Sequence, residues 1–279
     1  MPGDLHLHSI YSDGSLTPQE LIALAVEKGL SAVAITDHDT VEGTAEALEA
    51  GKEAGIEVIP AIEFSTFSGE AEIHILGYFI DFRSDELLST VEKIFAARVA
   101  RAKKMVKKLQ EMDIEISYKQ VKKLAGDNYV GRPHIARALV EQGYVKEIGD
   151  AFTAEYIGND GRAYVDKYRI IPEEAIDLIR KAGGISVLAH PVFVNHGSPL
   201  KYEEIKRFRD SGLEGLEVYH SRHNDEAVDY YKRVAEELGL LITGGSDYHG
   251  DNSPDIELGD ILLPDRYITR LRDRAKARK

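Results

Sequence analysis

The 279-residue chain contains no cysteine. A disulfide framework, a Cys-ligated zinc, an iron–sulfur cluster and a thiolate nucleophile are therefore excluded, and any metal must rest on His, Asp and Glu. The chain also lacks any apolar run approaching the ~20 residues that a membrane span needs. Its opening residues, Met1-Pro2-Gly3-Asp4, offer neither a basic n-region nor an apolar h-region. A cytoplasmic protein with no membrane partner is the expectation. Neither GxxxxGK[ST] nor GxGxxG occurs, and the paired glycines at 183–184 and 244–245 read as turn and close-approach positions. Without a GxSxG elbow, a Ser–His–Asp hydrolase has no support.

What is present suits a folded enzyme. Hydrophobic residues make up 43% of the chain and 8 Phe and 14 Tyr are available to fill a core, so one barrel-sized domain, or one with an insertion, fits the length. The net charge of −13 argues against broad attraction to nucleic acid or anionic lipid, and no stable duplex binding is expected. One stretch departs from this average: residues 93–137 hold 12 Lys and Arg against 4 Asp and Glu.

Short apolar runs alternate with helical patterns. They predict strands near 3–7, 31–36, 56–62, 73–79, 185–189, 215–219, 240–244 and 259–263. Thr17-Pro18-Gln19-Glu20 is a capping box with proline at the first helical position, and Gly29 stops that helix. Further helices end at Gly55, run from Pro172 to Gly183, and run from Asn224 to Gly239. This βα order predicts a parallel sheet covered by helices, open or closed into a barrel. It breaks over 85–168, where Leu87, Val91, Ile94, Val99, Ala102, Val106 and Leu109 recur at helical spacing. One long amphipathic helix, followed by shorter ones near 118–124 and 133–142, would form an inserted subdomain. The long helix carries a basic face (Arg98, Arg101, Lys103, Lys104, Lys107, Lys108) that could guide a polyanion. A last basic helix follows Pro264 and reads as a solvated face.

Seven of the ten histidines (His6, His8, His38, His74, His190, His220 and His249) fall at or just beyond a predicted strand end. In barrels and open α/β sheets alike, functional side chains gather where strands end. Asp13, Asp37, Asp39, Glu63, Glu217 and Asp247 accompany them. Residues two apart on a strand share a face, so His6-x-His8 and Asp247-x-His249 can each chelate one ion. So many ligands exceed the needs of a single ion, which predicts two or three metals sharing a carboxylate, with Glu63 selected as the bridge. Hydrolysis by metal-bound hydroxide, needing no protein nucleophile, is the chemistry that remains.

Asp4-Leu5-His6-Leu7-His8-Ser9 with Ser12-Asp13-Gly14, Ile35-Thr36-Asp37-His38-Asp39-Thr40, Glu63, His74-Ile75-Leu76-Gly77, Ala189-His190-Pro191 and Gly245-Ser246-Asp247-Tyr248-His249 resemble the PHP (polymerase and histidinol phosphatase) phosphoesterases. Gly131-Arg132-Pro133-His134-Ile135-Ala136 is similar to the nucleotide-acting subgroup, which includes nucleoside 3′,5′-bisphosphate phosphatases and 5′→3′ exoribonucleases. The resemblance implies an α/β fold, a distorted (β/α)7 TIM-like barrel over 1–84 and 169–279, with a helical insertion over 85–168 capping the active site. It implies up to three Mn, Fe or Zn ions. One would be held by His6, His8, Glu63 and Asp247, a second by Glu63, His74 and His190, and a third by Asp13, His38 and His249, with Asp37 behind them orienting a ligand imidazole.

Asp13, Arg132 and His220 are the resulting candidates for catalysis. Arg132, His134 and His220 are the candidates for holding substrate phosphate, a guanidinium matching phosphate oxygens in bidentate fashion. His220 could also protonate the leaving alkoxide. His196 and His223 read as surface-loop residues. The expected reaction is phosphoester hydrolysis on a small nucleotide or short oligonucleotide. The alternatives are a histidinol-phosphate-type phosphatase, an amidohydrolase-like metal hydrolase, and a non-catalytic nucleotide- or metal-binding module.

Overall fold

The computed structural model describes residues 2–125, 130–194 and 198–278. The chain forms two compact units, one comprising Met1–Ser89 and Arg169–Lys279 and the other Thr90–Tyr168. The first unit is a mixed α/β structure with two sheets. Strands β1 (Gly3–Leu7), β2 (Ala32–Ile35) and β3 (Glu57–Val58) make a parallel three-stranded sheet. Strands β4 (Ala61–Ser68), β5 (Ala71–Tyr78), β6 (Ile185–Leu188), β7 (Gly215–His220) and β8 (Leu241–Gly245) make a five-stranded one, in that order. Pairing is antiparallel between β4 and β5 and between β5 and β6, then parallel to β8. Isolated parallel bridges include Leu7 to Tyr248 and His38 to Glu63, each tying a strand residue to a loop residue.

Helices α1 (Pro18–Glu27) and α2 (Thr44–Ala54) follow β1 and β2. The start of α1 is fixed by its capping box: Thr17 Oγ1 accepts from Glu20 N at 3.2 Å, and Glu20 Oε2 accepts from Thr17 N at 2.8 Å. Leu7, Val33 and Ile35 pack with Leu21, Ile22, Ala25 and Ala47 from these two helices. Because side chains alternate along a strand, burying Leu7 on this side turns His6 and His8 to the other.

The second unit encloses its own core. Met105, Val106 and Leu109 of α3 (Asp85–Gln110), Val121 of α4 (Tyr118–Ala125) and Ile135 and Leu139 of α5 (Arg132–Glu141) cluster with Ile157 and Ala163. Much of the basic face of α3 is occupied there. Arg101 Nε donates to Val165 O and Lys108 Nζ to Tyr164 O, both at 2.6 Å, and Lys103 lies over the Tyr118 ring. Arg101 and Lys108 thereby hold a returning segment. The remaining helices are α6 (Pro172–Lys181), α7 (Tyr202–Asp210), α8 (Asp225–Leu238) and α9 (Asp265–Lys276). No described helix is long and apolar enough to cross a membrane.

Three sequence expectations are corrected. The predicted strand over 56–62 is two strands, since Pro60 interrupts it and β4 runs on to Ser68, turning through Gly69 (φ +63°) into an antiparallel hairpin with β5. Glu63 and His74 are consequently mid-strand residues, and no βα unit separates their strands. The stretch 259–263 is not a strand. Only Leu263 bridges, antiparallel to Gly3, because Gly259 is left-handed (φ +86°) and helix α9 begins directly after Pro264. Helix α7 was not predicted, as just two of its nine residues, Ile205 and Phe208, are buried.

Candidate metal centre

Strand register and loop geometry assemble the site. Asp247 N donates to His6 O and His8 N to Tyr248 O, each at 2.9 Å, which seats the loop after β8 along the end of β1. Gly245 permits this approach, since a Cβ there would lie 2.3 Å from His6 Cβ and 2.4 Å from His6 N. Asp39 N donates to Glu63 O at 2.8 Å and Glu63 N to Asp37 O at 3.2 Å, so the loop after β2 lies along β4. Asp39 and Asp247 both adopt left-handed backbone (φ +53° and +59°), a strain tolerated best by Asp, Asn and Gly and concentrated at functional loops.

Glu63, fully buried, is the hub. Its Oε2 lies 3.2 Å from His6 Nε2, 3.2 Å from His8 Nε2 and 3.3 Å from His38 Nδ1. Its Oε1 lies 3.0 Å from His74 Nδ1 and 3.2 Å from His190 Nε2. Asp247 Oδ1 is 3.2 Å from His8 Nε2 and 3.5 Å from His6 Nε2. Asp13 Oδ1 is 3.2 Å from His249 Nε2 and 3.6 Å from His8 Nδ1. Four groups bring their ligand atoms within 4.8 Å of one another: His8, Asp13, His38 and His249; His6, Glu63 and His190; His6, His8 and Asp247; and His38, Glu63 and His74. All nine sequence-predicted ligands thus meet in one cluster.

Burial opposes charge on Glu63 and Asp247, yet the surrounding imidazoles outweigh it and hold both carboxyls well below the usual carboxylate range. Burial likewise opposes charge on His6, His8 and His74. There the facing carboxylates prevail, pushing His8 and His74 up to about 10 and His6 well above the ordinary imidazole value. At His38 burial wins and the pKa falls to about 3; burial also lowers that of His190. Such a cluster has a strong demand for cationic charge. Buried His8 Nε2, His38 Nδ1 and His190 Nδ1 have no hydrogen-bond partner among the described residues. Nitrogen and carboxylate donors of this kind, with lone pairs unmatched by hydrogen bonds, fit divalent cations.

Around the cluster the structure adds a residue that sequence reasoning had placed only as a companion of His220. Glu217, fully buried on β7, accepts from His6 Nδ1 through Oε1 at 2.9 Å and from His190 N through Oε2 at 2.7 Å. It fixes the tautomer of His6 so that Nε2 faces Glu63. A lone acid between buried Leu216 and Val218 in β7 was its available signal.

The expectation for Asp37 is corrected. It makes no hydrogen bond to an imidazole among the described residues and instead accepts from Ser9 N (2.7 Å), Ser9 Oγ (2.6 Å) and Ser12 Oγ (2.6 Å), anchoring the loop after β1. It reaches a clustered imidazole through Ser12 Oγ, 3.5 Å from His8 Nδ1.

His220 is buried beside the cluster. Its Nδ1 accepts from Arg222 N at 3.2 Å, and its Nε2 lies 3.5 Å from Asp247 Oδ2. His223 is no exposed loop residue: Nδ1 donates to Val218 O at 2.9 Å, the ring lies 5.2 Å from that of His220, and burial pushes its pKa down to about 4. His196 lies outside the described residues.

Arg132 and His134 belong to the helical unit. Arg132 lies over the rings of Phe152 and Tyr164, with Nη1 donating to Asn159 Oδ1 at 2.9 Å. His134 Nδ1 accepts from Gly131 N at 3.1 Å, capping α5, and burial followed by Arg137 lowers its pKa.

Comparison with known proteins places this geometry. The PHP domain family matches residues 4–185. A 5′-3′ exoribonuclease of Haemophilus influenzae is 37% identical over 94% of this chain and 96% of its own length. A 3′,5′-nucleoside bisphosphate phosphatase of Chromobacterium violaceum is 32% identical over 94% of this chain and 92% of its own. A crystal structure from Bifidobacterium adolescentis, assigned as a metal-dependent phosphoesterase, superposes with a TM-score of 0.83 at 33% identity, over 97% of this chain and 96% of that one.

Proposed function

The chain belongs to the PHP domain family and is a metal-dependent phosphoesterase, and from that premise we propose that it hydrolyses phosphate esters of nucleotides or short oligonucleotides. The observation carrying this reading is the buried Glu63 carboxylate, shared among five imidazoles on two sides. Bridging carboxylates of that kind hold paired cations. His6, His8, Glu63 and Asp247 would hold one divalent ion, Glu63, His74 and His190 a second, and Asp13, His38 and His249 a third, with Mn, Fe or Zn suited to this nitrogen and oxygen set. When bound, such ions polarise the phosphoryl group and activate water.

The chain's own residues do the rest. Glu217 and Ser12 orient His6 and His8. The Asp37 anchor keeps the Ser9–Ser12 turn against β1. His220, one face of which meets Asp247, is placed to hold the proton that a leaving alkoxide takes up. The two sheets, bridged at Leu7–Tyr248 and at His38–Glu63, support reading the first unit as a distorted (β/α)7 barrel.

Exhaustive chelation should abolish turnover of a nucleotide panel, and Mn²⁺ should restore it. The panel should include mononucleotides, bisphosphates, 5′-phosphorylated oligomers, histidinol phosphate and an amide substrate. Full activity in metal-free protein, or turnover of the amide alone, would overturn the proposal.

A further inference from the structure

A cation beside the cluster has no part in the reaction described so far. Phe193, in the turn after His190, has its ring 6.2 Å from that of His190 and 5.7 Å from that of His220, yet 40% of its surface is exposed. Over that ring lies the guanidinium of Arg222, with Cζ 5.7 Å from the centroid. The backbone of Arg222 is tied to the cluster, since its N–H donates to His220 Nδ1 at 3.2 Å.

Its side chain is exposed and makes no ion pair or hydrogen bond among the described residues. Several other arginines of this unit are paired. Arg169 pairs with Glu70, Arg272 with Glu57 and Arg278 with Glu214. Arg222 stays unpaired although Asp225 and Glu226 follow within four residues in a chain that carries 48 acidic groups.

A guanidinium over an aromatic ring is attracted by the π-face without spending its N–H donors on hydrogen bonds, so its rigid fork stays available. The ligand that fork matches is a phosphate, taken in bidentate fashion. Phosphate at the metal cluster is the reacting group. Arg222 stands one aromatic ring away from His190 and His220, so it meets a different phosphate.

We propose that Arg222, shelved on Phe193, binds a second, non-reacting phosphate of the substrate and thereby favours nucleosides bearing two phosphates over those bearing one. The inference rests on the phosphoesterase reading of the same site and names its specificity element.

The test compares wild type, Arg222→Ala and Arg222→Lys, each metal-loaded, on adenosine 3′,5′-bisphosphate and on adenosine 3′- and 5′-monophosphate. The ratio of kcat/KM for the bisphosphate to that for the better monophosphate should fall about ten- to hundredfold in Arg222→Ala, the worth of a charge-assisted hydrogen-bond pair. The loss should lie mainly in KM. Arg222→Lys, which keeps the charge but not the fork, should recover only part of the ratio. An unchanged ratio, or an equal loss on all three substrates, overturns the assignment.

If wild type turns over no phosphoester, the phosphoesterase reading falls instead, and calorimetric binding of adenosine 3′,5′-bisphosphate decides the role of Arg222. Weaker binding by Arg222→Ala supports it. Equal binding, or none by wild type, overturns it.

Discussion

At the scale of single residues, the metal cluster depends on a carboxylate that need not touch an ion. Glu217 accepts hydrogen bonds from His6 Nδ1 and from His190 N, and both donors are buried. Replacing it with glutamine keeps an acceptor of the same shape but removes the charge that raises the basicity of His6. Outer partners of ligand histidines typically alter metal affinity 10–100-fold, so Glu217→Gln should weaken metal binding by about that factor in a chelator competition while leaving the far-ultraviolet spectrum unchanged. Glu217→Ala should additionally lower the stability of the metal-free protein by about 1–3 kcal/mol for each donor left unpaired, measured by urea unfolding. Wild-type metal affinity in Glu217→Gln would refute the orienting role. Most of the clustered residues were legible from sequence because they come as i, i+2 pairs or sit beside turn residues, as His6 with His8, Asp247 with His249, and His190 before Pro191. Glu217 was harder to single out, since a lone glutamate between apolar residues has no spacing signature until the strand opposite it is known.

The elements explain what else could and could not be read in advance. Helices with strong punctuation were legible, as with the Thr17–Glu20 box and Gly29 at the two ends of α1. The β4–β5 hairpin was not, because Ser65, Thr66 and Ser68 look like loop composition, whereas Thr66 is buried and its Oγ1 donates to Ile73 O across the hairpin. Helix α7 escaped because its apolar stripe is two residues wide. The junction of β8 with β1 depends on an absence, the missing side chain of Gly245. Gly245→Ala would push the loop carrying Asp247 and His249 away from His6 and should destabilise the protein by about 3 kcal/mol, toward the upper end of overpacking costs. Metal content should fall in parallel. An unfolding midpoint equal to wild type would rule out the close approach. Removing the cap of α1 by Thr17→Ala touches no ligand and should cost about 1 kcal/mol with full metal retention.

For the molecule as a whole, the two compact units each close a separate core. The cluster containing Met105, Leu109, Ile135 and Leu139 draws all of its buried members from residues between 102 and 163, inside one unit, whereas every proposed ligand belongs to the other. Two perturbations should therefore act on different parts of the unfolding curve. Leu139→Ala empties a fully buried site and should cost the helical unit about 2–5 kcal/mol. Metal ions bind only the folded cluster, so a free concentration a hundredfold above Kd should stabilise its unit by about 2.7 kcal/mol. Scanning calorimetry should then resolve two transitions, with Leu139→Ala lowering one and Mn²⁺ raising the other, while the metal content of Leu139→Ala stays at the wild-type value. A single transition that responds to both would mean that the cores melt together. In that case the stability of the helical unit would set the lifetime of the metal centre, and Leu139→Ala should accelerate metal loss to a chelator as much as it accelerates unfolding.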